Sequence, residues 1–180
     1  MSSSRFAGGR ASGLQRSLRY SAARRVSITS DCAKTLTRWR IQIQHHVPKH
    51  RRALLDTSVV IDLDRIEPAE LPEEPMISAI TMAELTAGPG ATDDREERAR
   101  RQDRLARAEA SFAPLPFDDG AARAYGRIYA AVAAAGRKPR GPRALDLLIA
   151  SIALNARLPL YTRNPSDVEA LNDLIEIVGV

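Results

Sequence analysis

From residue 53 onward, short apolar runs alternate with longer stretches of helical character. This alternation restricts the fold of the 180-residue chain more than any other feature. "ALLDTSVVI" is short, apolar and β-branched, the mark of a buried strand running into a turn or helix. "EEPMISAI" reads as a second strand announced by Pro75, and "TMAELTAG" as a helix ending at Gly88. "APLPFDD" reads as a strand leading to a helix cap at Asp118 or Asp119. "LPLYTRN" is a further strand, "PSDVEAL" a short helix and "LIEIV" a last strand. Strands that alternate with helices imply a mostly parallel sheet covered on both faces, so the expected class is α/β. In such sheets the functional cleft lies at the carboxyl ends of the strands, where Asp56 and Asn164 fall.

Three further helices lie between "TMAELTAG" and "LPLYTRN". "ATDDREERARRQDRLARAEASF" is long and charged, with opposite charges at i,i+4 in Glu96/Arg100, Glu97/Arg101 and Asp103/Arg107. It has too few large apolar residues to be central to the core. "GAARAYGRIYAAVAAAG" is amphipathic, with Tyr125, Ile128, Tyr129 and Val132 on one stripe. "RALDLLIASIALNA", residues 143 to 156, is nearly all apolar and is expected to be buried.

The sequence pI of 9.9 misrepresents this region. Residues 1 to 52 hold twelve Lys/Arg against one acid, a net of +11; residues 53 to 180 hold 15 against 21, a net of −6. The basic charge belongs to an Arg- and Ser-rich leader, expected to be disordered or to follow a misassigned start, and the remainder to one acidic domain. A transit peptide or an RNA-binding arm also fits the leader's composition, whereas His45 and His46 read as solvated. No window approaches 18 consecutive apolar residues, which excludes a membrane span. A single cysteine, Cys32, allows no intramolecular disulfide and no zinc pattern, which fits a cytoplasmic protein.

Within the acidic domain, three carboxylates interrupt segments that would otherwise be apolar: Asp56, Glu84 and Asp146. A fourth, Asp167, follows a strand end. An ionised carboxylate inside an apolar helix loses several kcal/mol of hydration unless it is paired. For Asp146 alone, an ion pair with Arg143 or Arg163, or a neutral acid, would suffice. Several carboxylates about 4 Å apart repel by roughly 4 kcal/mol per pair and need a cation among them. The four segments contain no lysine, and Arg163 is one candidate counter-charge. A hard divalent ion, Mg²⁺ or Mn²⁺, is the economical alternative, and it suits phosphodiester hydrolysis. Glu84 or Asp167 is then placed to orient the attacking water. Thr57, Ser58 and Thr162 are candidates to hydrogen-bond the carboxylates, although Thr57 and Ser58 equally suit a helix cap.

"LLDTSVVIDL", "SAITMAELTAG", "RALDLLIASIA" and "LYTRNPSDV", in this order, resemble a PIN-domain ribonuclease of the VapC type, the toxin of bacterial toxin–antitoxin pairs. The resemblance covers residues 53 to 180. It implies a PIN-like α/β/α sandwich, Mg²⁺-dependent endoribonuclease activity on structured RNA such as tRNA or rRNA, a homodimer and a cognate antitoxin. It also implies that Asp56 and Asp146 are metal ligands and Glu84 the second acidic position. The fourth position falls on Asn164 or on Asp167, and Val168 stands where an aromatic residue is common. Asp62, Asp64, Asp118 and Asp119 read as surface or capping acids.

"GRKPRGPR" places Arg137, Lys138, Arg140 and Arg143 just before the Asp146 helix, where they could hold RNA phosphates beside the acidic site. The scarcity of aromatics argues against base stacking. Three other classes compete. A receiver-like Mg²⁺-binding signalling domain would need a lysine at the late strand end, which here reads "YTRN". A non-catalytic RNA-binding protein would rely on the basic leader. A haloacid-dehalogenase-like phosphatase would need an aspartate where Ser58 stands.

Overall fold

Leu54 is the centre of the architecture. The computed structural model describes residues 49–180. Most of the basic leader, His45 and His46 included, lies outside the described residues. β1 (Arg52–Leu55) carries three consecutive fully buried residues, Ala53, Leu54 and Leu55. A strand can bury successive side chains only if both faces of its sheet are covered. Leu54 enters one apolar cluster, and Ala53 and Leu55 enter another on the opposite face. β3 (Leu160–Thr162) divides in the same way, with Leu160 in the first cluster and Tyr161 in the second.

The four strands are all parallel, in the order β2–β1–β3–β4, with β2 at Glu74–Met76 and β4 at Ile177–Gly179. Leu54 is aligned with Met76 on one side and Leu160 on the other. Helices α1 (Thr57–Ile61), α2 (Ala79–Ala87) and α3 (Arg95–Ser111) supply Val59, Val60, Leu85, Leu105 and Ala108 to one cluster. Helices α4 (Asp119–Ala134), α5 (Ala144–Ala156) and α6 (Pro165–Val168) supply the opposite one, with Ile128, Leu147 and Ile149 fully buried. The result is the expected α/β/α sandwich around a parallel sheet. Truncating Leu54 to alanine would cost about 2–5 kcal/mol, because its surroundings on both sides are rigid sheet and helix. Among the described residues no helix is long and apolar enough to cross a membrane.

Local chemistry moves several element boundaries. The second strand ends at Met76, because the Ser78 hydroxyl accepts the Thr81 N–H (2.9 Å) and starts α2 early. "APLPFDD" forms only a single bridge, between Leu115 and Ser78. Pro114 and Pro116 flank Leu115 and lack the N–H groups that a longer ladder needs. Asp118, not Asp119, caps α4, accepting the Ala121 N–H at 2.8 Å. The buried stripe of α4 is Ala121, Ala124, Ile128 and Val132, with Tyr125 half-buried and Tyr129 exposed.

On α3 the pairs Glu96–Arg100 (3.3 Å) and Glu97–Arg101 (2.8 Å) form, but Arg107 reaches Asp64 (3.1 Å) instead of Asp103. The last strand starts at Ile177, because Leu174 and Ile175 donate their N–H groups to the Leu171 carbonyl in a tight turn. At the other end of the chain β1 begins at Arg52, and Arg51 binds Glu74 (3.1 Å). Residues 49–52, grouped with the leader on charge alone, are therefore held by the folded body.

Candidate functional site

β1 and β3 end side by side, and the Asp56 N–H donates to the Tyr161 carbonyl at 2.9 Å. This pairing sets the Asp56 carboxylate at the carboxyl edge of the sheet, 9% exposed. Three donors hold it: Thr57 N–H on Oδ1 (2.8 Å), and Ser58 Oγ (2.7 Å) and Thr162 Oγ1 (2.9 Å) on Oδ2. Both hydroxyls are themselves oriented, since Ser58 Oγ accepts the Arg163 N–H and Thr162 Oγ1 accepts the Asn164 N–H, each at 3.1 Å. Oδ2 thus has both acceptor positions filled, and Oδ1 keeps one open.

The other acids approach from separate elements. Glu84, on α2, is half-buried and accepts Thr57 Oγ1 on Oε2 at 2.6 Å. Asp146, in the first turn of α5, is half-buried. The buried helix expected from "RALDLLIASIALNA" is therefore buried along its body and opens at its start, where Leu145 is 41% exposed. Asp167, on α6, accepts Arg143 Nη2 at 3.3 Å. Asp56, Ser58, Asp146, Thr162, Asn164 and Asp167 line one cavity of about 90 Å³. That is room for a cation with a few waters but not for a nucleotide.

Electrostatics ties these groups together. Asp146 is pushed up from 3.8 to about 6, first by burial and then by the negative charges of Asp56, Glu84 and Asp167, with Arg143 opposing. Arg163, one candidate counter-charge, is not part of this balance: its Nε lies 3.7 Å from Asp62, at the C-terminal end of α1. Among the described residues no three Asp, Glu, His or Cys side chains form a ready-made ligand group. Glu84 is engaged with Thr57 and Asp167 with Arg143, so the acids share one field without converging on one point. The donors on offer are hard oxygens, an open Oδ1 position and an uncompensated carboxylate, and that set fits a divalent cation.

The basic loop between α4 and α5 is only half available. Arg137 donates to the Ser166 carbonyl (2.6 Å) and reaches Glu169 (3.4 Å), and Arg143 binds Asp167. Lys138 and Arg140 are exposed and have no acidic partner among the described residues. Of the four acids read as surface or capping, Asp118 caps α4, Asp62 binds Arg65 at 3.3 Å and Asp64 binds Arg107.

Comparison with known proteins is decisive at this point. Residues 53–166 match the PIN domain family. The chain belongs to it. It is a VapC-type PIN domain: over 132 residues it is 34% identical to ribonuclease VapC5 of Mycobacterium tuberculosis, spanning 71% of this chain and 94% of that protein. A crystal structure of VapBC-5 from the same organism superimposes with a TM-score of 0.64 at 33% identity, covering 72% of this chain and 99% of that one. FitAcB from Neisseria gonorrhoeae has a TM-score of 0.57 at 27% identity over 71% of this chain and 96% of that one.

In this PIN domain, Arg143, which the sequence offers both as a loop cation and as a partner for Asp146, pairs instead with Asp167, another acid of the cavity. The available signal was its position three residues before Asp146, one helical turn away, where its side chain can reach the same end of α5.

Proposed function

We propose that the chain is a divalent-cation-dependent endoribonuclease, using Mg²⁺ or Mn²⁺, and the toxin of a toxin–antitoxin pair. The observation that carries this reading is that Asp56 after β1, Asp146 on α5 and Asp167 on α6 line one cavity, where burial and then the charges of Asp56, Glu84 and Asp167 raise Asp146. The 34% identity to a protein named as a ribonuclease supports the same chemistry. Asp56, through Oδ1, and Asp146 would hold the ion, with Asn164 or Asp167 completing the site. When bound, such an ion supplies Lewis-acid polarisation of a phosphoryl group and lowers the pKa of water.

The chain's own residues do the rest. Thr57, Ser58 and Thr162 fix Glu84 and Asp56 in single orientations, which lowers the reorganisation needed at the moment of reaction. Thr57 occupies Oε2 of Glu84 and leaves Oε1 to orient a water and take its proton. Lys138 and Arg140, at the tip of the loop before α5, hold substrate phosphates, with Arg137 and Arg143 at its base. A domain with few aromatics recognises RNA through backbone and shape, which favours structured substrates such as tRNA or rRNA. The likeness to VapBC-5, a member of a toxin–antitoxin family, supports a cognate antitoxin; a homodimeric assembly and a cytoplasmic setting belong to the same reading.

The test is cleavage of purified tRNA and rRNA with Mg²⁺, with chelator, and with Asp56→Asn or Asp146→Asn. Cleavage that needs the ion and disappears in both variants is expected. Undiminished cleavage by either variant overturns the reading and leaves RNA binding without catalysis. Sequencing RNA 5′ ends after induction of wild type against Asp146→Asn identifies the substrate. Full activity of the purified complex with the product of a neighbouring small reading frame would remove the antitoxin assignment.

A further inference from the structure

The loop from Gly136 to Arg143 is fastened to α6 at two points. Arg137 holds the Ser166 carbonyl and Glu169, and Arg143 holds Asp167, a residue that lines the cavity. α6 itself is only four residues long and is anchored in the core by Val168. The position of Asp167 therefore depends on side chains of this loop. Both members of the Arg143–Asp167 pair are 43% exposed, and their contact is a single 3.3 Å bond. Such a pair is weakly held in water and open to exchange. Arg163, the other arginine at the rim, turns to Asp62 and does not serve the cavity.

We infer that Arg143 is a positioning residue that acts as the resident cation of the ion-free site, pairing with Asp167 and competing with the divalent ion for it. This inference rests on the metal-dependent reading above. An ion held in the cavity would take the Asp167 carboxylate from the guanidinium, and Arg143 would be freed to meet a substrate phosphate. Ion loading and phosphate capture are thereby linked through one side chain.

The test is Mn²⁺ affinity of the full chain, read from the free-ion electron paramagnetic resonance signal, with no RNA present. Arg143→Gln should tighten Mn²⁺ binding by about tenfold, the size of coupling common between contacting charges. Arg143→Lys, which keeps the charge and loses the planar fork, should fall between it and wild type. Arg163→Gln removes the same charge from the rim and should shift affinity by less than about twofold. In an Asp167→Asn background, Arg143→Gln should shift affinity by less than about twofold, leaving only its longer-range effect on Asp146.

Equal shifts from Arg143→Gln and Arg163→Gln, or a full tenfold shift that survives Asp167→Asn, overturn the inference. If Mn²⁺ binding is lost in Asp56→Asn but indifferent to Arg143→Gln, the inference fails and the nuclease reading stands. If wild type does not bind Mn²⁺, both fall.

Discussion

The two ends of the sheet hold polar clusters of opposite kinds. At the amino end, His50 Nε2 lies 3.0 Å from Glu176 and Nδ1 lies 3.0 Å from the Tyr161 hydroxyl, while Lys49 binds the other Glu176 oxygen at 2.9 Å. Every charge there has a partner. Lys49 first, and then His50, hold Glu176 below the usual carboxylate range. Because a phenol can donate or accept, the His50–Tyr161 contact survives in either charge state of the ring. At the carboxyl end, four acids face one cation among the described residues, Arg143, and Asp146 is raised instead of lowered. One cluster is built to hold the fold, and the other leaves an electrostatic deficit for a ligand to fill.

The sharpest way to break this contrast is to neutralise one acid at a time. Asp146→Asn should reduce RNA hydrolysis by at least about a hundredfold. Tyr161→Phe, at the opposite end, should leave hydrolysis unchanged. Comparable losses of cleavage in both would erase the distinction between the two ends.

Stability should move the other way. The Asp146 carboxyl titrates near 3.8 when unfolded and about 6 when folded. Its ionisation therefore opposes folding fully above about pH 6, and the penalty disappears as pH falls through that interval to below 4. Ion-free Asp146→Asn should be more stable than wild type by about 1–2 kcal/mol at pH 7.5, after allowance for solvent screening of a half-buried group. Denaturant melts at pH 7.5 and 4 should show the gain shrinking towards zero. A gain that persists at pH 4 would reveal another cause.

Tyr161→Phe should destabilise by about 1 kcal/mol, the net worth of one hydrogen bond, with no change in Mn²⁺ affinity. Any weakening of the ion by that variant would mean that the two clusters communicate through β3. The smallest expected effect concerns salt. Lys138→Ala with Arg140→Ala should lower the slope of log RNA affinity against log salt by about 1–2. An unchanged slope would place the phosphate contacts elsewhere.

Much of the fold was legible because its cause is local. The apolar run of β1, the punctuation by Gly88 and Pro75 and the regular spacing of helices each follow from a few neighbouring residues. Boundaries escaped where a competing local bond decided them, as Ser78 did for α2 and the two prolines did around Leu115. The acids of the site were visible as polar residues in apolar company. Their counter-charge was not, because the choice between Arg143 and Arg163 depends on which acid each side chain reaches across the fold.

The amino-acid order alone determined the layer arrangement and singled out Asp56, Glu84 and Asp146, since periodicity and the cost of isolated charge are properties of short stretches of chain. Only the tertiary structure decided that Thr162 orients Asp56 from 106 residues away, that Arg137 and Arg143 serve α6, and that His50 belongs to the folded body. Those are long-range contacts between side chains with several possible partners. Nothing in the linear sequence ranks the partners until the backbone has set their distances.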